Sequence, residues 1–309
     1  MKNAENLPGF FILGAEKSGT TSLYYYLDQR PDVFFPKIKE PGYFSYVEHK
    51  PRTFLYREVD WSIVVDNLED YCKLYEPALP GQLRGDASTV YLYDYETVID
   101  QMRKHYRSDV SRLKFIAILR NPILRAWSKY TMAVRDGIEE LPPLKAFQPE
   151  TIRKRMNEGA PFPYDYIGYG MYCAQLEAYR NAFGPFEVVL LDELDNDPVL
   201  VLERLSEYLE LPPFDFDVSK KFNVSGQPKN ALFRFVGRLI FQDFKSKSVL
   251  KKLLPYSRRL RIRTMAGEVL FQSVRIPDDV YSFLLETYRK EILELEKMLD
   301  KDLSGWLKK

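Results

Sequence analysis

The sequence has little of several residue types that define common classes of protein. Its 309 residues include only two histidines and two cysteines, Cys72 and Cys173, which lie far apart and outside any CxxC pair. Cysteine and histidine are the usual ligands of structural zinc, so this composition argues against a zinc module. Nothing in it requires the oxidising compartment in which disulfides form.

Long apolar runs and a strong net charge are also lacking. No segment approaches the ~18 apolar residues of a membrane span, and residues 1–8 lack the basic and apolar regions of a signal peptide. The net charge of +1 gives no overall attraction to nucleic acid or membrane, so any electrostatic function must be local. We therefore expect a cytoplasmic globular protein that has no nucleic-acid partner.

What the sequence does contain is a hydroxyl-rich turn between a predicted strand and a predicted helix. Residues 10–13 are apolar and predict a buried strand, and residues 21–27 predict the start of a helix. The turn carries two glycines, a lysine and a run of hydroxyl side chains: Gly14, Lys17, Ser18, Gly19, Thr20, Thr21 and Ser22. A helix N-terminus favours an anion, and glycine lets the backbone approach a phosphate closely. The stretch therefore predicts a phosphate site, although a turn without a ligand has a similar pattern.

This turn does not match the P-loop of nucleotide-hydrolysing enzymes. That pattern, GxxxxGK[ST], would run from Gly14 to Gly19, but Thr20 stands where its lysine must reach the terminal phosphates. The arrangement instead closely resembles the phosphosulfate loop of sulfotransferases, which use 3′-phosphoadenosine 5′-phosphosulfate (PAPS). The resemblance implies that Lys17 stabilises the leaving group during catalysis. It also implies that the turn binds the 5′-phosphate of PAPS through Lys17, Ser18, Gly19, Thr20, Thr21 and Ser22.

A second motif follows another predicted strand. Residues 113–119 form an apolar run that ends at Arg120, and Ser128 returns to the same face after two turns of the predicted helix. An arginine at the carboxyl edge of a strand can bind a phosphate through two N–H groups. The pair resembles the 3′-phosphate site of sulfotransferases, so the two motifs would hold the two phosphate-bearing ends of one nucleotide.

Glu40 is the candidate general base. It lies in a lysine-rich loop before Pro41, which biases it towards an extended conformation suited to delivering a carboxylate into a cleft. Taken alone, such a glutamate is more often a solvated surface charge. Its position before an aromatic pair resembles that of the catalytic glutamate in the heparan and bacterial branches of the sulfotransferase family, which implies the same role. His49 is another candidate base, although a surface or packed imidazole is the commoner outcome.

Two further segments bear on the acceptor. Heparan-type sulfotransferases carry a lysine where this chain has Ala87, which weakens the resemblance to an enzyme for sulfated glycans. The segment 136–170, rich in proline and glycine, predicts a lid or acceptor-binding segment around a short basic helix at 151–157. Four tyrosines at its end could form an acceptor wall or pack in the core: Tyr164, Tyr166, Tyr169 and Tyr172.

Two polar segments lie towards the C-terminus. The loop with Ser225 and Lys229 resembles the one that closes over the adenine and the 3′-phosphate in similar enzymes, and these two residues are its candidates. Residues 245–263 contain many lysines and arginines and no acidic residue. Such a run is either a solvated face or a surface for an anionic acceptor polymer or a membrane.

Together these features predict a single α/β domain over residues 1–309, with a central parallel sheet flanked by helices and the nucleotide outside the carboxyl ends of the strands. The predicted reaction is in-line transfer of a sulfuryl group from PAPS, without a metal, to a hydroxyl of a carbohydrate or another small alcohol. A sterol or lipid alcohol, or an amine, is an alternative acceptor. Two other classes stay open: a kinase or NTPase in which Asp192 holds Mg²⁺ near the end of a strand predicted over 186–193, and a nucleotide-binding protein without activity.

Overall fold

A computed structural model describes residues 6–47, 65–135, 138–158, 164–219 and 275–309, together with the backbone of residues 227–228 and 271–272. Five parallel strands form the main sheet in the order β2-β3-β1-β4-β5. They are β1 (Phe10–Gly14), β2 (Val33–Phe34), β3 (Leu83–Asp86), β4 (Lys114–Leu119) and β5 (Glu187–Leu190). Two short strands pair antiparallel elsewhere: β6 (Gln227–Pro228) and β7 (Phe271–Gln272).

The described helices are mostly short, and the longest of them lies near the C-terminus. They are α1 (Thr20–Leu27), α2 (Tyr43–Tyr46), α3 (Leu68–Lys73), α4 (Tyr95–Tyr106), α5 (Pro122–Arg135), α6 (Pro143–Ala146), α7 (Pro149–Asn157), α8 (Tyr172–Phe183), α9 (Leu191–Asn196), α10 (Pro198–Tyr208) and α11 (Asp278–Leu299). Short 3₁₀ helices span Arg107–Arg112, Gly168–Gly170 and Ser304–Leu307.

The central strands are buried on both faces. Phe11 and Leu13 of β1 pack in one core cluster, whereas Phe10 and Ile12 pack in another. Because successive side chains of a strand point to opposite faces, the two clusters lie on the two sides of the sheet. Helices α1 and α10 cover one side, and α4, α5, α8 and α11 cover the other. This arrangement confirms the predicted parallel sheet with helices on both faces.

The carboxyl ends of the parallel strands meet at one edge of the sheet, as parallel pairing requires. The hydroxyl-rich turn follows β1 at this edge, and Arg120 follows the neighbouring strand β4. The backbone N–H of Ala15 donates to the carbonyl of Ile118 at 2.8 Å, which holds the start of the turn against β4. The two predicted phosphate-binding motifs therefore lie side by side, at the edge where open α/β sheets bind ligands.

Parts of the sheet differ from the sequence prediction. The sequence does not predict β2, which is too short to show a period, or β3, which contains charged residues and a glycine. The third predicted strand ends earlier than expected, because α9 begins at Leu191. The Glu193 side chain accepts the N–H of Leu190 at 3.0 Å and so closes the start of this helix. Asp192 therefore lies on a helix and does not end a strand.

The segment predicted as a lid packs against the body of the protein where it is described. The short basic helix expected at 151–157 is present as α7. All four tyrosines that could have formed an acceptor wall are buried, and three of them join the larger core cluster. Their position favours core packing, the other reading that the sequence leaves open.

Several sequence predictions concern residues outside the described ranges. These residues are His49, Ser225, Lys229 and the basic segment 245–263. The single domain over 1–309 stays a prediction. Among the helices of the described ranges, none combines the length and apolar character that crossing a membrane requires.

Candidate active site

The turn after β1 has two residues in the left-handed region of backbone conformation. Gly19, directly before α1, has φ 93°, which glycine adopts without steric cost. Lys17 has φ 68°, which is uncommon for a residue with a Cβ and must be held by its surroundings. No side chain caps α1 at Gly19, and its first turn contains no acidic residue. Such a helix N-terminus can bind an anion through its backbone N–H groups.

A cavity of about 520 Å³ lies at this helix N-terminus and brings together most of the predicted site residues. The predicted residues that line it are Lys17, Gly19, Thr20, Thr21, Ser22, Glu40 and Arg120. The others are Glu16, Tyr26, Thr89, Met132, Leu191, Leu194, Asp195, Pro198 and Val218. The cavity thus combines lysine, arginine and hydroxyl groups, which can bind an anion, with carboxylates, which can accept a proton.

Two predicted residues are described but do not line the cavity. Ser18 is fully buried in the turn, where its N–H donates to the carbonyl of Ala15 at 3.2 Å. Ser128 is buried on α5, the helix that follows Arg120. Their contacts with a nucleotide stay predictions.

Glu40 faces the cavity with its carboxylate held from two sides. One oxygen, Oε2, accepts the hydroxyl of Thr89 at 2.9 Å, and the other, Oε1, accepts Lys39 Nζ at 3.0 Å. The same Lys39 Nζ donates to Thr21 Oγ1 at 3.0 Å and so joins the glutamate to α1. The extended backbone that Pro41 predicts for Glu40 is wrong, because its φ is 62°. The sequence offered one signal for Lys39, its position next to Glu40, and none for its contact with the helix.

Arg120 stands beside the turn and reaches it directly. Its Nη1 donates to the carbonyl of Lys17 at 3.3 Å, and its own carbonyl accepts the hydroxyl of Tyr172 at 2.9 Å. Burial lowers the pKa of Arg120 below its usual value, but an arginine remains protonated in a protein. The next residue, Asn121, donates through Nδ2 to the carbonyl of Trp306 at 3.1 Å. The guanidinium is thereby presented to the cavity from a turn that is fixed on both sides.

The sequence prediction missed a second glutamate in the cavity wall. Glu16 is bound by Lys129, whose Nζ lies 2.5 Å from both carboxylate oxygens. Burial alone raises the pKa of Glu16, but the charge and hydrogen bond of Lys129, together with the charges of Lys17 and Arg125, hold the pKa below its usual value. Lys129 Nζ also lies 5.4 Å from the ring centroid of Tyr169. Glu16 and Lys129 are 113 positions apart in the sequence, so no local pattern could pair them.

Asp192 has a structural partner away from the cavity. Its Oδ2 accepts the indole N–H of Trp306 at 3.0 Å. A magnesium ligand in phosphoryl transfer must reach the phosphates, and Asp192 is not among the residues that line the cavity. This geometry gives no support to the kinase or NTPase reading of the sequence.

One group among the described residues has the composition of a metal site, and it lies outside the cavity. The ligand atoms of Cys173, Glu291 and Glu294 lie within 4.8 Å of one another. Burial raises the pKa of the Cys173 thiol, which keeps it protonated, and metals bind the thiolate. Glu291 accepts the N–H of Cys173 at 2.7 Å near the start of α8, so helix capping accounts for its position.

The fold is that of a known class of enzyme. A crystal structure of a sulfotransferase from Alicyclobacillus acidocaldarius matches the chain with a TM-score of 0.69, over 97% of this chain and 98% of that one, at 24% identity. The architecture, with the hydroxyl-rich turn at the carboxyl edge of the sheet, is therefore the sulfotransferase fold.

Comparison of sequences also finds sulfotransferases, although no family model matches the chain. The human bifunctional heparan sulfate N-deacetylase/N-sulfotransferase 3 is 25% identical over 231 residues, which are 72% of this chain and 24% of that protein. The mouse heparan sulfate glucosamine 3-O-sulfotransferase 3A1 is 26% identical over 226 residues, 72% of this chain and 50% of that protein. The chain therefore has the sulfotransferase fold, and its sequence is similar to these heparan sulfate sulfotransferases. It spans between a quarter and a half of the length of these relatives.

Proposed function

We propose that this protein transfers a sulfuryl group from PAPS to a hydroxyl of an acceptor. The observation that carries the proposal is the convergence of the hydroxyl-rich turn, Arg120 and Glu40 on a single cavity. The turn offers backbone N–H groups, hydroxyls and the Lys17 ammonium to a 5′-phosphate. Arg120, which follows the adjacent strand, offers a guanidinium to the 3′-phosphate that distinguishes PAPS from ATP.

Glu40 is proposed as the general base of the reaction. PAPS supplies the sulfuryl group, which forms a bond to the acceptor oxygen as its bond to the 5′-phosphate breaks. Glu40 takes the proton of the acceptor hydroxyl, and its two fixed hydrogen bonds orient the carboxylate for this task. Lys17 stabilises the negative charge that develops at the 5′-phosphate.

The proposed acceptor is the hydroxyl of a carbohydrate or another small alcohol. The curated relatives act on heparan sulfate according to their names, which supports a glycan. Position 87, where heparan-type enzymes have a lysine, is a buried alanine. Lys39 and Lys129, two lysines next to the cavity, are paired with Glu40 and Glu16. The positive charges of these lysines are thus balanced near the base, which favours an acceptor of low charge. The compartment that we propose for the reaction is the cytoplasm, as the sequence predicts.

The test combines an acceptor screen with a variant of the base. We expect ³⁵S-labelled PAPS to label at least one member of a panel of sugars, glucosamine oligosaccharides, sterols and simple amines. In Glu40→Gln, turnover should fall by roughly 10²-fold or more because the amide cannot accept the proton. The dissociation constant for adenosine 3′,5′-bisphosphate (PAP), measured by calorimetry, should stay unchanged.

The matched control is Glu69→Gln. Glu69 also pairs with a lysine, Lys73, at 2.7 Å, but it is exposed on α3 and is not among the residues that line the cavity. This variant should keep full turnover. Equal turnover in Glu40→Gln and the native protein would remove Glu40 from the reaction, and binding of AMP as tightly as PAP would remove PAPS as the donor.

A further inference from the structure

A buried carboxylate lies close to the site, and the proposed reaction does not use it. Asp86, the last residue of β3, is fully buried. Its Oδ1 accepts the hydroxyl of Ser88 at 2.6 Å, and its Oδ2 accepts the hydroxyls of Tyr71 and Tyr91 at 2.6 and 2.9 Å. A buried carboxylate needs such donors, but three of them on one group form a network that can also fix other parts of the structure.

The network continues from Asp86 to the loop that carries Glu40. Ser88 Oγ, which donates to Asp86, accepts the backbone N–H of Gly42 at 2.9 Å. A serine hydroxyl has a single proton, so donating it to Asp86 turns a lone pair of the oxygen towards Gly42. The hydroxyl of Tyr91 accepts the backbone N–H of Phe44, two residues after Gly42, in a longer contact of 3.4 Å.

The loop held in this way has a backbone that needs support. Glu40 has φ 62° and Gly42 has φ 65°, so two residues in three lie in the left-handed region. A Cβ at Gly42 would approach the ring of Tyr46 to 2.3 Å, which leaves no room for another residue. Strained backbone of this kind persists only where its surroundings determine it.

We propose that Asp86 is a positioning residue for Glu40 and acts through the hydroxyl of Ser88. The next residue, Thr89, donates to the Glu40 carboxylate itself, so residues 86–89 fix both the backbone after the base and its side chain. The inference rests on the proposed function, because it takes Glu40 to be the base. A base must lie within hydrogen-bond reach of the proton it removes, and a misplacement of about 1 Å can cost roughly 10²-fold in rate.

Asp86 is in the required charge state at neutral pH. Burial is the main cause that raises its pKa to about 6, and the charge of Glu40 adds to it. The three hydroxyl donors act in the opposite direction. The phenols of Tyr75 and Tyr106 also lie near the carboxylate. Above pH 7 Asp86 is therefore an anion that accepts from Ser88.

The experiment compares two variants, each of which removes one hydroxyl group that donates a hydrogen bond of 2.6 Å to the Asp86 carboxylate. Ser88→Ala breaks the connection to Gly42. Tyr71→Phe removes a donor that does not reach the loop and keeps the ring that stacks on Tyr43 at 4.4 Å. Asp86→Asn tests the carboxylate itself, because the amide offers one acceptor oxygen in place of two.

Two readouts are measured on each variant. Amide hydrogen exchange at residues 42–44 reports the loop without any acceptor, and turnover is followed with ³⁵S-labelled PAPS and the acceptor from the screen. We expect Ser88→Ala and Asp86→Asn to exchange faster at Gly42 and to lose at least 5-fold in kcat. Their dissociation constants for PAP should be unchanged, and Tyr71→Phe should behave as the native protein.

Each other result overturns the inference. Equal losses in Ser88→Ala and Tyr71→Phe would show that the network acts only on stability, and unchanged kcat in Ser88→Ala would show that the hydroxyl does not position the base. A weaker affinity for PAP with unchanged kcat would place the effect on the nucleotide. If Glu40→Gln itself keeps full turnover, Glu40 is not the base and the positioning role fails, whatever the exchange data show. The proposed sulfuryl transfer fails separately, if no acceptor is labelled or if AMP binds as tightly as PAP.

Discussion

At the scale of single residues, we expect the proposed recognition of the nucleotide to depend most on Arg120. It shares the cavity with Lys17, and the two side chains start from turns that follow neighbouring strands. A guanidinium can form two parallel hydrogen bonds with a phosphate, which a lysine cannot. The position of Arg120 beside the turn is therefore suited to a nucleotide with a second phosphate.

The variant Arg120→Ala tests this contact. We expect it to weaken binding of PAP by about 10-fold or more, since a charge-assisted hydrogen bond contributes about 1.5–3 kcal/mol, and to change the binding of AMP little. Calorimetric titration with both nucleotides measures the difference. Arg112→Ala, which removes an exposed arginine from a 3₁₀ turn, is the control for lost positive charge. Equal losses of affinity for PAP and AMP would refute the assignment of Arg120 to the 3′-phosphate.

At the scale of the elements, Glu139 fastens the segment that contains α6 and α7. Its buried carboxylate accepts two N–H groups of Arg155 at 2.7 and 2.9 Å and the hydroxyl of Tyr166 at 2.8 Å. The backbone N–H groups of Glu140 and Leu141 donate to it as well. These donors hold its pKa below the usual value although burial alone would raise it. The segment 138–158 is therefore tied to the tyrosines of the core.

Replacing this carboxylate should destabilise the whole protein. Glu139→Gln leaves Arg155 partly buried without its counter-charge, and breaking such a pair costs about 3–5 kcal/mol. We expect a loss of this order in the free energy of unfolding, measured with urea. Glu150→Gln removes an exposed glutamate whose contact with Arg153 is 3.5 Å, and it should change stability by less than about 0.5 kcal/mol. A loss in Glu139→Gln no larger than in this control would show that the segment is not fastened by Glu139.

At the scale of the whole molecule, carboxyl groups act on stability with opposite signs. Glu16 and Glu139 have lowered pKa values, so their contribution is present above about pH 4.5 and is lost as the pH falls. Asp86 has a pKa raised from 3.8 to about 6. Between these two values the folded protein binds a proton that the unfolded chain does not, so this group adds stability as the pH falls through 6.

The contribution of Asp86 can be isolated by comparison with Asp86→Asn. From pH 7.5 to pH 5 the free energy of unfolding of the native protein should rise by about 1.4 kcal/mol relative to the variant. The reason is that pH 5 lies about one unit below the folded pKa of Asp86, and each unit contributes about 1.4 kcal/mol. Urea unfolding of both proteins at the two pH values measures it. A difference between them that does not change with pH would contradict the raised pKa of Asp86.

The sequence by itself determined the features that depend on neighbouring residues. The apolar runs of β1 and β4 predict buried strands because burial on both faces needs continuous apolar sequence. The turn from Gly14 to Ser22 predicts an anion site because glycine, hydroxyl groups and a helix start follow one another there. The place of Arg120 at the carboxyl edge of the sheet could be predicted for the same reason, since its position at the end of a strand is a local property.

Only the tertiary structure decided which distant residues meet. Lys129 neutralises Glu16, Thr89 binds Glu40, and Asp86 connects through Ser88 to the loop of the base. These partners come from different strands and helices, so strand order and register bring them together. Short strands such as β2 and β3 are likewise set by the neighbours they pair with. The chemistry of the site could be predicted where it is local, whereas its electrostatic support depends on how the chain folds.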